Sequence, residues 1–341
     1  MAVRVAFRAA IVVMLMTVAV TASADPVEDF YKGKNLRMLI GAGIGGGNDT
    51  YARFLGRHMM RHIPGNPTFI PQNIPGGAGI LVASNLNNVA TRDGSVIAAV
   101  NRATGLDPLF TGKDYKFDPR QLIWLGSLNK ETNLIFSWHT SKVKTAADIF
   151  TTEMIVGAAG PGADSAVYPR LINALLGGKF RVVTGYDGEQ ASLAAEKGEV
   201  DGRASVPWTT LKGLHPDWIR DKKVNIIFQM ALEKDPELPD VPNILDYIKK
   251  EEDREVFEAL FSRQEMGRPF VAPPEVPAER VAALRNAIRD SVNDPLFKAE
   301  ADKVGMDIEF VDGEQIEQLI RRAYALPPKV IERIRDSLNA S

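Results

Sequence analysis

LRMLIGAGIGGGND, residues Leu36–Asp49, is an apolar run that passes into five glycines within seven residues and ends in Asn-Asp. The run has the composition of a buried strand. The next segment, Thr50–Ile63, carries helical spacing, so the glycines fall at a strand-to-helix turn. Such a turn leaves the first backbone N–H groups of the helix unpaired and aims them, with the positive end of the helix dipole, at whatever lies above. Glycine removes the side chains that would hold a ligand away. The segment is built to hold an anion with its main chain, and Ile44, Gly45, Gly46, Gly47 and Asn48 are the expected contacts.

A dinucleotide is one candidate anion, because Gly41-Ala42-Gly43-Ile44-Gly45-Gly46 satisfies G-x-G-x-x-G after a strand. That fingerprint wants an acidic residue about 20 positions further on for the ribose. Between Asp49 and Asp93 there is no Asp or Glu, although Arg61 could serve a 2′-phosphate. No Gly-Lys-Ser/Thr follows the glycines, which excludes a P-loop.

The N-terminus points to export. Arg4 and Arg8 form a basic start, Ala9–Val20 is a short apolar stretch, and Ala22-Ser23-Ala24 fits a cleavage site. Residues 1–24 are therefore expected to be a signal peptide, with Asp25 the first mature residue and the mature protein soluble in the periplasm. The chain has no cysteine, hence no lipid-bearing cysteine and no disulfides. A domain of this size does not need them. Formal net charge is −2 with both signs interspersed, and no basic stripe marks a nucleic-acid surface.

Strands, glycine turns and helices alternate along the chain, which predicts a mainly parallel sheet with ligands at the strands' carboxyl ends. Thr68–Asn73 leads to Pro75-Gly76-Gly77-Ala78-Gly79 and a helix over Ile80–Ala90. Val96–Val100 ends at Asn101-Arg102-Ala103-Thr104. Met154–Ala159 leads to Gly160-Pro161-Gly162-Ala163-Asp164-Ser165, where Val167, Leu171 and Leu175 mark a helix. Phe180–Thr184 leads to Gly185-Tyr186-Asp187-Gly188, and Val200-Asp201-Gly202-Arg203 reads as a strand end. Two apolar segments, Leu122–Leu128 with Leu134–Trp138, and Val224–Met230, suit crossings between two lobes.

In this order the motifs resemble the Bug, or tricarboxylate-binding, family of periplasmic receptors of tripartite tricarboxylate transporters. The resemblance rests on Gly45-Gly46-Gly47-Asn48-Asp49-Thr50-Tyr51-Ala52-Arg53, on Asn73-Ile74-Pro75-Gly76-Gly77-Ala78-Gly79, and on Asp93-Gly94. It continues through Leu238–Pro242, Asp294-Pro295 and Gly305. It implies a type II periplasmic-binding-protein fold of two α/β lobes around a cleft. One lobe would comprise residues 25–124 with 227–341, and the other residues 125–226. The ligand would be a small carboxylate, held by backbone N–H groups of Gly76, Gly77, Ala78 and Gly79 as well as the first loop. Ala103 and Thr104 would add to that side, and Ala163, Asp164, Ser165, Tyr186, Asp187 and Arg203 would read it from the second lobe. The resemblance also implies a monomer that hands its ligand to membrane permease subunits. It implies no cofactor, metal or enzymatic role. The second-lobe loop departs from the family's serine- and histidine-containing pattern, which leaves the carboxylate unnamed.

Individual residues keep a second reading. Asp49 would repel an anion and is better suited to cap a helix starting at Thr50. Ser165 suits an N-cap or a ligand contact. Arg203 could pair a second carboxylate, or form an ion pair with Glu199 or Asp201. His58 and His62 are four apart but lack a third ligand for a metal. An exported NADP-dependent oxidoreductase and a sensor without a transport role remain the alternatives.

Overall fold

A computed structural model describes residues 25–45, 47–74, 79–159, 163–186 and 188–339. Eleven strands form two sheets among these residues. The first sheet holds β1 (Asn35–Ile40), β2 (Thr68–Asn73), β3 (Val96–Ala99), β4 (Ile123–Ser127), β10 (Pro269–Ala272) and β11 (Val311–Asp312). The second holds β5 (Asn133–Trp138), β6 (Met154–Ala158), β7 (Phe180–Thr184), β8 (Gly202–Pro207) and β9 (Val224–Met230). Their orders are β11-β4-β10-β3-β1-β2 and β7-β6-β8-β5-β9.

Both sheets are mixed rather than mainly parallel. β1 runs parallel to β2 and β3, and β6 parallel to β7 and β8, as alternating strands and helices require. β10 is antiparallel to β3 and β4, and β5 to β8 and β9. The antiparallel strands lie next to the passages between sheets, where the chain enters each sheet from the far side. All six residues of β5 are buried, as befits a strand covered on both faces, whereas edge strand β2 has no fully buried residue.

The passages shift the expected lobe limits. Residue 124 and residue 227 both fall inside strands, because β4 runs on to Ser127 in the first sheet and β9 runs to Met230 in the second. The chain leaves the first sheet through residues 128–132 and returns through the helix Glu251–Phe261 and the turn Ser262–Met266. The two passages lie side by side. Gly267 N donates to Asn129 O at 2.9 Å, Glu131 N to Gln264 O at 3.0 Å, and Leu128 N to Arg268 O at 3.2 Å.

Helices cover the sheet faces. Gly47–Met59 and Ala278–Asn293 bury Phe54, Leu55, Leu284 and Ile288 against one face of the first sheet. The opposite face, with Leu86, Phe110 and Trp124, is continuous with the core around Ile135, Val156 and Tyr168 of the second sheet. Trp208, Trp218 and Phe136 form a third cluster on the second sheet's other face.

Candidate binding cleft

Strands β1, β3, β6 and β8 present their carboxyl ends to one cleft of about 480 Å³ between the sheets. Asn48 reaches it from the loop after β1, Ala103 from the turn after β3, Asp164 from the helix after β6, and Pro207 from the end of β8. The two passages supply Glu131 on one side and Arg263, Gly267 and Arg268 on the other.

An ionic frame holds these groups. Arg263 donates from Nη2 to Asp164 Oδ1 at 2.7 Å and from Nη1 to Asp107 Oδ1 at 3.0 Å. Arg102 donates from Nη2 to Asp164 Oδ2 at 3.1 Å and pairs through Nη1 with Glu131 Oε2. Arg268 Nη1 lies 2.5 Å from Glu131 Oε1, an ion contact whose angles do not make a hydrogen bond. Its guanidinium sits over the Tyr51 ring at 5.2 Å, and its Nε has no hydrogen-bond partner among the described residues.

Burial and charge pull these groups in different directions. Burial works against ionisation of Asp164, but Arg263 and Arg102 outweigh it and keep the carboxyl below its ordinary value. Burial raises Asp107 above its ordinary value, and Arg263 offsets only part of that. Burial also depresses Arg268, with little opposing charge from Tyr51. A guanidinium that is desolvated and incompletely bonded is a strong seat for a carboxylate.

Of the residues expected from sequence, Gly47, Asn48, Ala103, Ala163 and Asp164 line the cleft. Gly46, Gly76, Gly77, Ala78 and Asp187 lie outside the described residues. Ile44 is 82% exposed, and Gly45 serves the loop itself by donating its N–H to Asp49 Oδ2 at 2.9 Å. Gly79 and Thr104 are buried close together beneath the cleft lining. Ser165 Oγ accepts from Ala159 N at 3.3 Å, tying the loop before its helix, and Tyr186 Oη bonds Glu199 at 3.3 Å.

Asp49 does not cap a helix at Thr50, because that helix begins at Gly47. It is buried and also accepts from Arg53 Nε at 2.9 Å and Asn73 Nδ2 at 2.7 Å, which fastens the first loop to β2. Arg203 opens strand β8 instead of ending a strand, since Gly202 is the first residue of β8. Its side chain is buried away from the cleft lining, donating from Nη1 to Ser192 Oγ at 2.9 Å, with Glu189 at 3.8 Å. Neither Glu199 nor Asp201 is its partner. Asp201 instead accepts from Ile155 N at 2.8 Å. Arg61, the residue a 2′-phosphate would need, is near the far end of its helical segment and pairs with Asp294 at 2.6 Å. His58 and His62 pair with Glu300 and Asp294.

The sequence reading missed Asp107, Glu131, Arg263 and Arg268 and did not single out Arg102. Arg102 follows β3 directly, so the rule of strand carboxyl ends could have found it. Glu131, Arg263 and Arg268 belong to the passages between sheets, where no turn motif flags them.

By sequence the chain matches no family model and no curated protein. By structure it is similar to a TctC solute-binding protein from Polaromonas. The identity is 17%, with 91% of this chain and 100% of that one covered, at a TM-score of 0.71. The fold is that of a periplasmic solute-binding protein. Two proteins of Rhodopseudomonas palustris share this solute-binding fold. MatC with bound malate is 20% identical over 89% of this chain and 99% of its own, at a TM-score of 0.60. Rpa4515 with adipate is 14% identical over 90% and 97%, at a TM-score of 0.64. The periplasmic binding protein BugD shares the fold as well, at 19% identity over 90% of this chain and 98% of its own and a TM-score of 0.62. The TctC and Bug names agree with the resemblance read from the motifs.

Proposed function

We propose that this chain is a non-catalytic receptor that captures a small carboxylate in the cleft and presents it to the permease of a tripartite tricarboxylate transporter. The observation that carries this reading is the convergence of four strand ends and three guanidiniums, Arg102, Arg263 and Arg268, on one cleft between two sheets. The neighbours described with malate and adipate support the ligand class. One carboxylate would meet main-chain N–H groups at Gly47 and Asn48 and the adjoining glycine loops, with Arg268 beside it. Charge-assisted hydrogen bonds contribute about 1.5–3 kcal/mol each. Four or five suffice for micromolar to nanomolar binding, about 8–12 kcal/mol, after ordering costs. The lobes would close by bending at the paired passages, and residues 1–24 would direct export.

Thermal unfolding of the ligand-stripped chain with malate, adipate, hexanoate, NAD and NADP tests the reading. Stabilisation by a carboxylate and none by the nucleotides is expected. Stabilisation by NADP alone would replace this reading with the oxidoreductase.

A further inference from the structure

Asp164 joins the two sides of the cleft. It opens the helix Asp164–Leu176, which packs on the second sheet. Both of its partners come from segments attached to the first sheet: Arg102 follows β3, and Arg263 precedes β10. One Asp164 oxygen faces each guanidinium, at 3.1 Å and 2.7 Å. This is the geometry of a carboxylate ligand, supplied by the protein itself.

The cleft holds three arginines and three carboxylates, Asp107, Glu131 and Asp164. Asp164 takes one donor group from each of two guanidiniums, Asp107 takes another from Arg263, and Glu131 faces Arg102 and Arg268. Among the described residues Arg102 and Arg263 each face two carboxylates, whereas Arg268 faces one, Glu131, and its Nη2 would lie 3.3 Å from a Cβ at Gly47. A ligand with one carboxylate finds a seat there. A second carboxylate has to lie near Asp164, where like charges repel, or displace it from Arg102 and Arg263.

We propose that Asp164 is a specificity-determining residue that acts as a built-in second carboxylate, so that the cleft selects monocarboxylates over dicarboxylates. The inference rests on the carboxylate reading above and adds the number of charges the ligand carries. Asp164 does this by occupying the two guanidiniums that a dicarboxylate would otherwise claim. It also links the lobes while doing so, and a monocarboxylate adds one negative charge to this balanced frame where a dicarboxylate would add two.

Calorimetric titration with hexanoate and adipate, which differ by one terminal carboxylate, tests this on the whole chain and on Asp164→Asn. The wild-type chain is expected to bind hexanoate more tightly than adipate. In the variant the adipate-to-hexanoate affinity ratio should rise at least tenfold, because Arg102 and Arg263 each lose one of their two internal carboxylate partners. Asp164→Ser, which removes the charge in a smaller side chain, should move the ratio the same way and serves if the amide variant does not fold. A folded variant whose ratio stays within about twofold of wild type overturns the inference while leaving the carboxylate reading intact. A wild-type preference for adipate overturns it in the same way. Failure of wild type and variants to bind any of malate, hexanoate and adipate overturns the carboxylate reading, and this inference with it.

Discussion

The wall of the cleft formed by Ala42, Gly47 and Asn48 offers main chain and one amide, whereas the adjoining wall offers Arg102, Arg263 and Arg268 already engaged by carboxylates. The first wall carries no charge that the fold must balance. The second is part of the folded frame before any ligand arrives, since Arg263 and Glu131 are both buried and both bridge separate segments. Substitutions on the two walls should therefore separate: affinity on the first, stability together with affinity on the second.

The largest effect is expected at Arg263. Arg263→Ala leaves Asp107 and Asp164 without a shared cation, and removing one partner of a buried pair costs about 3–5 kcal/mol. Urea denaturation measures this, and a loss under about 1 kcal/mol would mean that the charged wall is a solvated surface after all. Arg203→Ala comes next. It should cost about 1–3 kcal/mol through the hydrogen-bonding partners it leaves behind at Ser192 and Glu189. Carboxylate affinity should stay within about twofold, because Arg203 does not line the cleft. A drop beyond tenfold, about 1.4 kcal/mol, would return Arg203 to the ligand. The smallest change in stability belongs to Gly47. A Cβ there would lie 3.3 Å from Arg268 Nη2, so Gly47→Val should press on that guanidinium. Carboxylate affinity should fall about tenfold, or about 1.4 kcal/mol, with stability altered by less than about 1 kcal/mol. Equal losses of affinity and stability would erase the distinction between the walls.

The same contrast explains what could be read from the chain. Main-chain sites advertise themselves, because a strand followed by clustered glycines is a local pattern, and it picked out Gly47, Asn48, Ala163 and Asp164, which line the cleft. Side-chain sites assembled over long separations leave no such mark. Arg263 meets Asp107 across 156 positions and Asp164 across 99, and nothing in the sequence around Ser262–Arg268 distinguishes those arginines from a solvated helix end. Arg203 shows the converse error. Val200-Asp201-Gly202-Arg203 reads as a strand end, yet Gly202 is a glycine for close strand approach: a Cβ there would sit 2.1 Å from Phe136 O on the neighbouring strand β5. The mixed sheets were equally hidden, since strand direction after a passage depends on where the chain re-enters.

Gly267 sits where the two passages touch, donating its N–H to Asn129 O at 2.9 Å. A Cβ at this position would fall 2.5 Å from Asn129 Oδ1 and 3.0 Å from Asn129 O. The two connectors therefore touch with no side chain contributed by position 267. If the lobes close by bending at the paired passages, as proposed above, any larger residue at position 267 would work as a wedge at the pivot and set the resting angle of the lobes.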